Sequence, residues 1–180
     1  MTEAVIVATA RSPIGRAAKG SLVSIRPDDL SAQIVKALMA KVPSVSASDV
    51  EDLIMGCGQP AGEAGFNIAR VTAVLAGLDE APGVTVNRYC SSSLQTIRMA
   101  AHAIKAGEGD CFIAAGVETV SRYAAGASDT APNSVFSSAG QRTASRAGGG
   151  QGTWSSPSGL PDIYIAMGQT CLLYTSPSPR

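Results

Sequence analysis

The chain has 180 residues, with 14 basic and 14 acidic side chains and one histidine, so its formal net charge at pH 7 is zero. This length favours one compact domain with its own core, because about 150 residues per domain is the usual expectation. The lack of a basic block excludes strong electrostatic attraction to nucleic acid or to an anionic membrane. We therefore expect a small or locally recognised partner, and neither nucleic acid nor a membrane.

The cysteines and the first residues indicate a reducing compartment. Cys57, Cys90, Cys111 and Cys171 form no C-x-x-C pair and no zinc-ligand spacing, so we expect reduced thiols and no metal site. The opening MTEAVIVATARSP has a short apolar run between an acid and an arginine. This pattern is typical of neither a signal peptide nor a membrane span, and it predicts a cytoplasmic or matrix-like location.

Short apolar runs alternate with helical patterns through the first two-thirds of the chain. The order β-α-β-α-β-α-β predicts an α/β fold with right-handed crossovers and a mostly parallel sheet covered by helices. Gly77 and Gly107 are expected to end the second and third helices. The predicted strands are residues 4–10, 52–57, 83–87 and 110–118, and the predicted helices are residues 28–42, 67–77 and 91–107. The predicted core-facing stripes are Leu30, Ile34, Leu38 and Val42, then Ile68, Val71 and Leu75, then Leu94, Ile97, Ala101 and Ile104.

The composition changes near Tyr123. Residues 124–159 are rich in Ala, Gly, Ser and Thr with little periodicity, which predicts a long loop region, and residues 160–170 regain apolar character. We therefore divide the chain into an α/β core over residues 1–122 and a second segment over residues 123–170. The Ser-Pro tail at residues 171–180 cannot continue a helix, and we expect it to be non-native.

Cys90 lies where the predicted third strand meets the third helix, in VTVNRYCSSSLQTIRM. Unpaired N–H groups and the positive dipole end of a helix favour a thiolate there, and sites in parallel sheets form at the carboxyl ends of strands. The N–H groups that follow Cys90 are candidate donors to an oxyanion. A buried apolar filler remains the alternative, and it is the better interpretation of Cys57 and Cys111.

The single histidine does not serve this thiol. His102 is twelve residues along the same helix, roughly 18 Å at 1.5 Å per residue, and it lies on the side of Gln95 and Arg98. We expect a solvated surface histidine. A base for Cys90 is therefore either a carboxylate or a group outside this chain.

Four segments together resemble a known family. EAVIVATARSPIGR (3–16), GFNIARVTAVLAGL (65–78), GVTVNRYCSSSLQTI (83–97) and AIKAGEGDCFIAAGVETVSR (103–122) occur in the order seen in the N-terminal half of thiolases, the acetyl-CoA C-acyltransferases or β-ketothiolases. The resemblance covers residues 3–170. It implies a thiolase-like fold in which the second segment begins a loop domain.

The resemblance also implies chemistry. Cys90 matches the nucleophile that forms an acyl-thioester intermediate, and Met167 and Gly168 match residues beside the acyl and pantetheine pocket. Family members use coenzyme A thioesters as substrates and no further cofactor, and they are typically dimers or tetramers. A role in lipid metabolism, including fatty-acid β-oxidation, is the corresponding expectation.

Three departures from the family pattern matter. Ser93 stands where the family usually has glycine, and we expect its side chain to narrow or re-polarise the approach to the thiolate. Ala166 stands where many members have histidine, which weakens any inference about the CoA pocket. Thiolases are about twice as long, and their activating histidine, second cysteine and water-holding asparagine lie in the C-terminal half. We therefore expect this chain to be an inactive piece, with residues 171–180 resembling translated adapter sequence.

Three other interpretations remain. One is a condensing enzyme of the ketoacyl synthase type, which shares the fold and a cysteine at this joint. Another is a non-catalytic acyl-CoA-binding or sterol-carrier-associated protein. The last is an α/β domain in which Cys90 only fills space.

Overall fold

The fold is seen in a computed structural model, which describes residues 3–123, 133–136, 163–165, 167–168 and 170. Contacts divide the chain into two compact units, residues 1–126 and 127–180, and each is described by itself. No helix in the described part of the chain is long and apolar enough to cross a membrane.

The first unit is built on a three-stranded parallel sheet. Strands β1 (Asp52–Gly56), β2 (Gly83–Val86) and β3 (Phe112–Gly116) lie in the order β2-β1-β3. The centre strand β1 pairs with both neighbours in parallel, so all three carboxyl ends reach the same edge. The predicted parallel α/β sheet is confirmed for these three strands.

Three helices connect and cover the strands: α1 (Pro27–Met39), α2 (Ile68–Ala76) and α3 (Ser92–Ala106). Helix α1 begins at a proline with acids in its first turn, as a helix start favours. Helices α2 and α3 end at Gly77 and Gly107, whose φ angles of 85° and 78° require the left-handed conformation. Both predicted helix ends are confirmed. Short 3₁₀ turns occur at Ala47–Asp49, Gly62–Ala64, Tyr89–Ser91, Val120–Arg122 and Ser134–Phe136.

The predicted strand at residues 4–10 is wrong for this structure. The segment has no strand conformation, and Val5, Ile6 and Val7 are 70–74 % exposed. A strand requires a neighbour for its backbone N–H and C=O groups, and among the described residues β3 pairs only with β1. Apolar β-branched composition alone therefore does not place this segment in the sheet.

The predicted helix faces are also corrected. Helix α3 buries Ser92, Thr96 and Ala100 against the sheet, whereas Leu94 and Ile97 are 69 % and 46 % exposed. Small and hydroxyl-bearing side chains let the helix approach the strands closely. In α1 the buried face contains Ser31, Ala32 and Val35, and in α2 it contains Ile68, Ala69, Thr72 and Ala73, so of the predicted stripes only Ile68 is fully buried.

The hydrophobic core lies on one face of the sheet. Leu53 and Met55 point into it, whereas Gly56, one residue further along the alternating strand, contacts the start of α3. Helices α1 and α2 pack against each other there. The buried core cluster is Val35, Val50, Leu53, Met55, Cys57, Ala64, Ile68, Ala69, Ala73, Leu78, Ala81 and Ile113.

Candidate active site

The joint between β2 and α3 presents an exposed thiol. Cys90 is exposed and lies in the 3₁₀ turn that leads into the 15-residue helix. The Asn87 Oδ1 atom accepts the Tyr89 N–H at 2.8 Å. The Ser92 hydroxyl accepts the Arg88 N–H at 2.8 Å and donates to the Tyr89 carbonyl at 2.6 Å. These side chains fix the turn without touching the sulfur.

The residue before the thiol has an uncommon backbone conformation. Tyr89 has φ of 46°, in the left-handed region that costs a residue with a side chain about 1 kcal/mol. Its side chain is 69 % exposed. The bend that it creates helps to turn the chain from β2 into α3 within the five residues 87–91, and it leaves Cys90 exposed at the joint.

The backbone donors near Cys90 are used differently from the expectation. The Ser91 N–H donates to the Arg88 carbonyl at 3.0 Å, and the Ser92 N–H donates to the Tyr89 carbonyl. The expected donors that follow Cys90 are therefore occupied by the 3₁₀ turn. In the described part of the chain, the N–H of Cys90 itself has no acceptor, which makes it the available donor at this position.

Two glycines at strand ends let α3 dock directly on the sheet. A Cβ on Gly56 would lie 2.7 Å from the backbone nitrogen of Ser93, and one on Gly116 would lie 1.9 Å from the Ser93 hydroxyl oxygen. No other residue fits either position without a shift of the helix or of Ser93. The serine that replaces the family's glycine therefore occupies space above Gly116.

Cys90 opens into a cavity of about 520 Å³ at the carboxyl ends of the strands. Loops after all three strands contribute to its wall, as expected for a site in a parallel sheet. Ser93 lines it as well, so its hydroxyl adds a polar group to the cavity wall. The lining residues are Gly56, Gly58, Gln59, Tyr89, Cys90, Ser92, Ser93, Gly116, Val117, Glu118 and Tyr123.

The other described cysteines are unsuited to nucleophilic chemistry. Cys57 is 2 % exposed and belongs to the core, and burial together with the charge of Glu118 raises its pKa to about 11. Burial, with the charges of Asp49 and Glu51, also raises the pKa of Cys111. Cys57 belongs to the core cluster and the half-buried Cys111 packs against it, which confirms the interpretation of both as filler.

Glu118 is the carboxylate in the cavity wall. It follows β3, and its oxygens accept the Gly58 N–H at 2.8 Å and the Gln59 N–H at 3.2 Å. The Cys57 thiol lies 3.9 Å from the same carboxylate. Burial raises the pKa of Tyr123 to about 12, and the negative charge of Glu118 adds to the rise. The loop after β1 is thus tied to the loop after β3.

Ion pairs also join the segments that follow β1 and β3. Glu63 pairs with Arg122 and, at 3.1 Å, with Arg26. The hydrogen bond from Arg122 holds the pKa of Glu63 below its usual range. Arg26 also pairs with Asp28 at 2.8 Å in the first turn of α1. The 3₁₀ turns that follow β1 and β3 are therefore held together at their outer side.

The remaining predicted site residues lie elsewhere. His102 is exposed on α3, in agreement with its interpretation as a surface residue. Met167 and Gly168 belong to the second unit, where Met167 is 67 % exposed, and their role stays a prediction. Ala166 and residues 171–180 lie outside the described residues. Within the described ranges, no group of three His, Cys, Asp or Glu side chains converges in the manner of metal ligands.

Comparison with known families decides the assignment. The model of the thiolase N-terminal domain matches residues 4–150. The chain belongs to the thiolase family. Similar thiolases include the 3-ketoacyl-CoA thiolase of Bacillus subtilis (strain 168), 47 % identical over 134 residues, which are 74 % of this chain and 34 % of that protein. The β-ketoadipyl-CoA thiolase of Acinetobacter baylyi is 50 % identical over 134 residues, or 73 % and 33 %.

A third relative gives the same picture. The 3-ketoacyl-CoA thiolase of Shewanella frigidimarina is 48 % identical over 119 residues, which are 66 % of this chain and 31 % of that thiolase. The chain spans about a third of the length of the curated relatives it matches. The resemblance seen in the sequence motifs is confirmed at the level of the family.

Sequence reasoning did not single out most of the cavity wall, including its carboxylate, Glu118, and its nearby phenol, Tyr123. Glu118 contacts residues about 60 positions away, and local periodicity carries no information on such a contact. One signal was present: Glu118 is the last residue of the predicted strand over residues 110–118, at the end where parallel sheets form their sites.

Proposed function

We propose that this chain carries the nucleophile of a thiolase-type acyltransferase, with Cys90 as the acyl acceptor. The supporting observation is the exposed thiol at the start of α3, opening into a cavity at the carboxyl ends of the strands, in a chain of the thiolase family. Cys57 and Cys111 are buried or partly buried, with raised pKa values. Among the described cysteines, Cys90 is thus the one suited to attack.

In the degradative direction, the Cys90 thiolate attacks the 3-keto carbon of a 3-ketoacyl-CoA. The bond between C2 and C3 then breaks, and its electron pair leaves with acetyl-CoA as an enolate, which takes a proton at C2. The shortened acyl group stays on the sulfur as a thioester. The thiolate of a second coenzyme A molecule takes this acyl group and returns Cys90 to the thiolate form. Claisen condensation is the reverse sequence.

The backbone at the joint suits this chemistry. As the carbonyl carbon becomes tetrahedral, its oxygen gains negative charge and needs an N–H donor within hydrogen-bond distance. The N–H of Cys90 is free to serve, whereas those of Ser91 and Ser92 are not. His102, roughly 18 Å along α3, is too far away to be the base for the thiol. By resemblance to thiolases, the base for the thiol and the acid for the enolate belong to the C-terminal half of the protein.

The finer assignments are also proposals. We propose that the substrates are 3-ketoacyl-CoA thioesters and that the reaction serves fatty-acid β-oxidation. Coenzyme A is the cosubstrate, and no further cofactor takes part. The full-length protein forms a homo-oligomer. The names of the Bacillus and Shewanella relatives support the substrate class. The free thiols of the described cysteines are typical of a reducing compartment, which supports the cytoplasm.

The test is trapping of the acyl-enzyme. Residues 1–122 are joined to the corresponding remainder of the Bacillus subtilis 3-ketoacyl-CoA thiolase, and the chimera is incubated with acetyl-CoA and digested at low pH. We expect one acetyl group on the peptide that contains Cys90, and none in the matched Cys90→Ser chimera. Thiolysis of acetoacetyl-CoA is measured in parallel. A folded chimera that takes no acetyl group on Cys90 refutes the proposal.

A decarboxylating condensing enzyme is the second candidate. It shares an exposed cysteine at the strand–helix joint, so the geometry alone is compatible with it. The full-length protein with its own C-terminal half distinguishes the two, since a thiolase needs only acetyl-CoA to become acylated and to condense. Release of carbon dioxide from a malonyl thioester at a rate above that of thiolysis favours the condensing enzyme instead.

A further inference from the structure

Gly58, the second residue after β1, lies close to both Glu118 and Tyr89 in the cavity wall. Gly58 is buried, and its N–H donates to the Glu118 carboxylate at 2.8 Å. A Cβ placed on Gly58 would lie 2.9 Å from that carboxylate and 3.5 Å from the Cα atom of Tyr89. The Glu118 carboxylate and the backbone of Tyr89, the residue that precedes Cys90, therefore both lie close to the open face of Gly58.

We propose that Glu118 is a positioning residue for Cys90, acting through Gly58 and Tyr89. The inference rests on the proposed role of Cys90 as nucleophile. Two N–H groups bind one carboxylate, which fixes the loop over residues 57–59. The fixed loop in turn supports Tyr89 in its left-handed conformation, and this conformation places the thiol at the start of α3.

A direct chemical role fits Glu118 less well. Its oxygens accept the N–H groups of Gly58 and Gln59, whereas no hydrogen bond joins Glu118 to Cys90 in the described part of the chain. A negative charge near a thiol disfavours the thiolate, which opposes activation. The carboxylate is also held in a region that is anchored from outside by Glu63 and Arg122. Holding the loop is thus the function that the contacts support.

The experiment compares alkylation and amide exchange in the 180-residue chain. Glu118→Gln replaces one acceptor oxygen by an NH₂ group, which faces the N–H of Gly58 or of Gln59 and cannot accept its hydrogen bond. We expect amide exchange at Gly58 and Gln59 to rise at least about tenfold, because their hydrogen bonds open. We expect alkylation of Cys90 by iodoacetamide at pH 7, relative to the denatured variant, to slow roughly threefold or more as the thiol leaves the helix start.

Matched variants separate position from charge. Glu80→Gln removes the same charge before β2, at the opposite end of the sheet, and is expected to leave both readouts unchanged. Glu118→Asp keeps two acceptor oxygens and is expected to recover part of the alkylation rate. Gly58→Ala disturbs the same contact from the other side and provides a second test if Glu118→Gln does not fold, with circular dichroism as the check.

The outcomes are distinct. If charge alone matters, Glu118→Gln speeds alkylation of Cys90, and that result overturns the proposal. Unchanged amide exchange at Gly58 and Gln59 also overturns it. Failure of the acetyl-trapping experiment is a separate result, because alkylation reports on the position of the thiol whether or not an acyl group is ever transferred.

Discussion

Gly116→Ala tests whether α3 is docked on the sheet as closely as the structure shows. The new Cβ would lie 1.9 Å from the Ser93 hydroxyl oxygen and 3.1 Å from the Ser93 Cβ. Rotation of the Ser93 side chain removes the first contact, but the second contact requires a shift of a few tenths of an ångström. Overpacking of this kind costs about 1–3 kcal/mol.

The assay is urea unfolding followed by circular dichroism. With a slope of about 2 kcal/mol per molar urea, the expected cost lowers the midpoint by roughly 0.5–1.5 M. In a Ser93→Gly background both contacts disappear, so we expect Gly116→Ala to cost less than about 0.5 kcal/mol there. Ser91→Gly is the matched control: in that background, Gly116→Ala should still have its full cost of about 1–3 kcal/mol, because Ser93 is unchanged. An equal cost in the Ser93→Gly and wild-type backgrounds refutes the close docking.

Three further predictions address the site and its surroundings. In a time course with iodoacetamide at neutral pH, mass spectrometry should find Cys90 modified first and Cys57 and Cys111 much later; equal rates would contradict the assigned burial. Because the pKa of Glu63 is lowered in the folded chain, its contribution to stability is present above the pKa of the unfolded carboxyl group and is lost as pH falls through the lowered value. Glu63→Gln should therefore flatten the acid limb of the pH–stability curve, and an unchanged limb would count against the ion pair. His102→Ala should leave the rate of Cys90 alkylation unchanged and the free energy of unfolding within about 0.5 kcal/mol of wild type. A large loss of either would contradict the surface position of His102.

The parts of the fold that follow from local chemistry were predictable. A glycine after an apolar helical run needs only its own backbone freedom to end the helix, and Gly77 and Gly107 do so. Strands β1, β2 and β3 follow from short apolar runs between turns. The joint at Cys90 follows from a change of periodicity between residues 86 and 92.

The parts that depend on distant partners were not predictable. Residues 4–10 have strand-like composition, but a strand forms only where a neighbouring edge accepts it. Helix α3 has its largest apolar side chains outside, because the strand-end glycines favour small residues at the contact. The link from Glu118 to Gly58 crosses 60 positions of sequence.

The contact of α3 with Gly56 and Gly116 has a consequence for engineering. A helix seated on backbone atoms takes its position from the sheet itself, so repacking of the hydrophobic core on the other face changes stability without relocating the thiol. The side chains of Gln59, Val117 and Tyr123 also line the cavity and can vary while Gly58 and Glu118 keep the thiol in place. Directed libraries that reshape the cavity are best confined to those three positions.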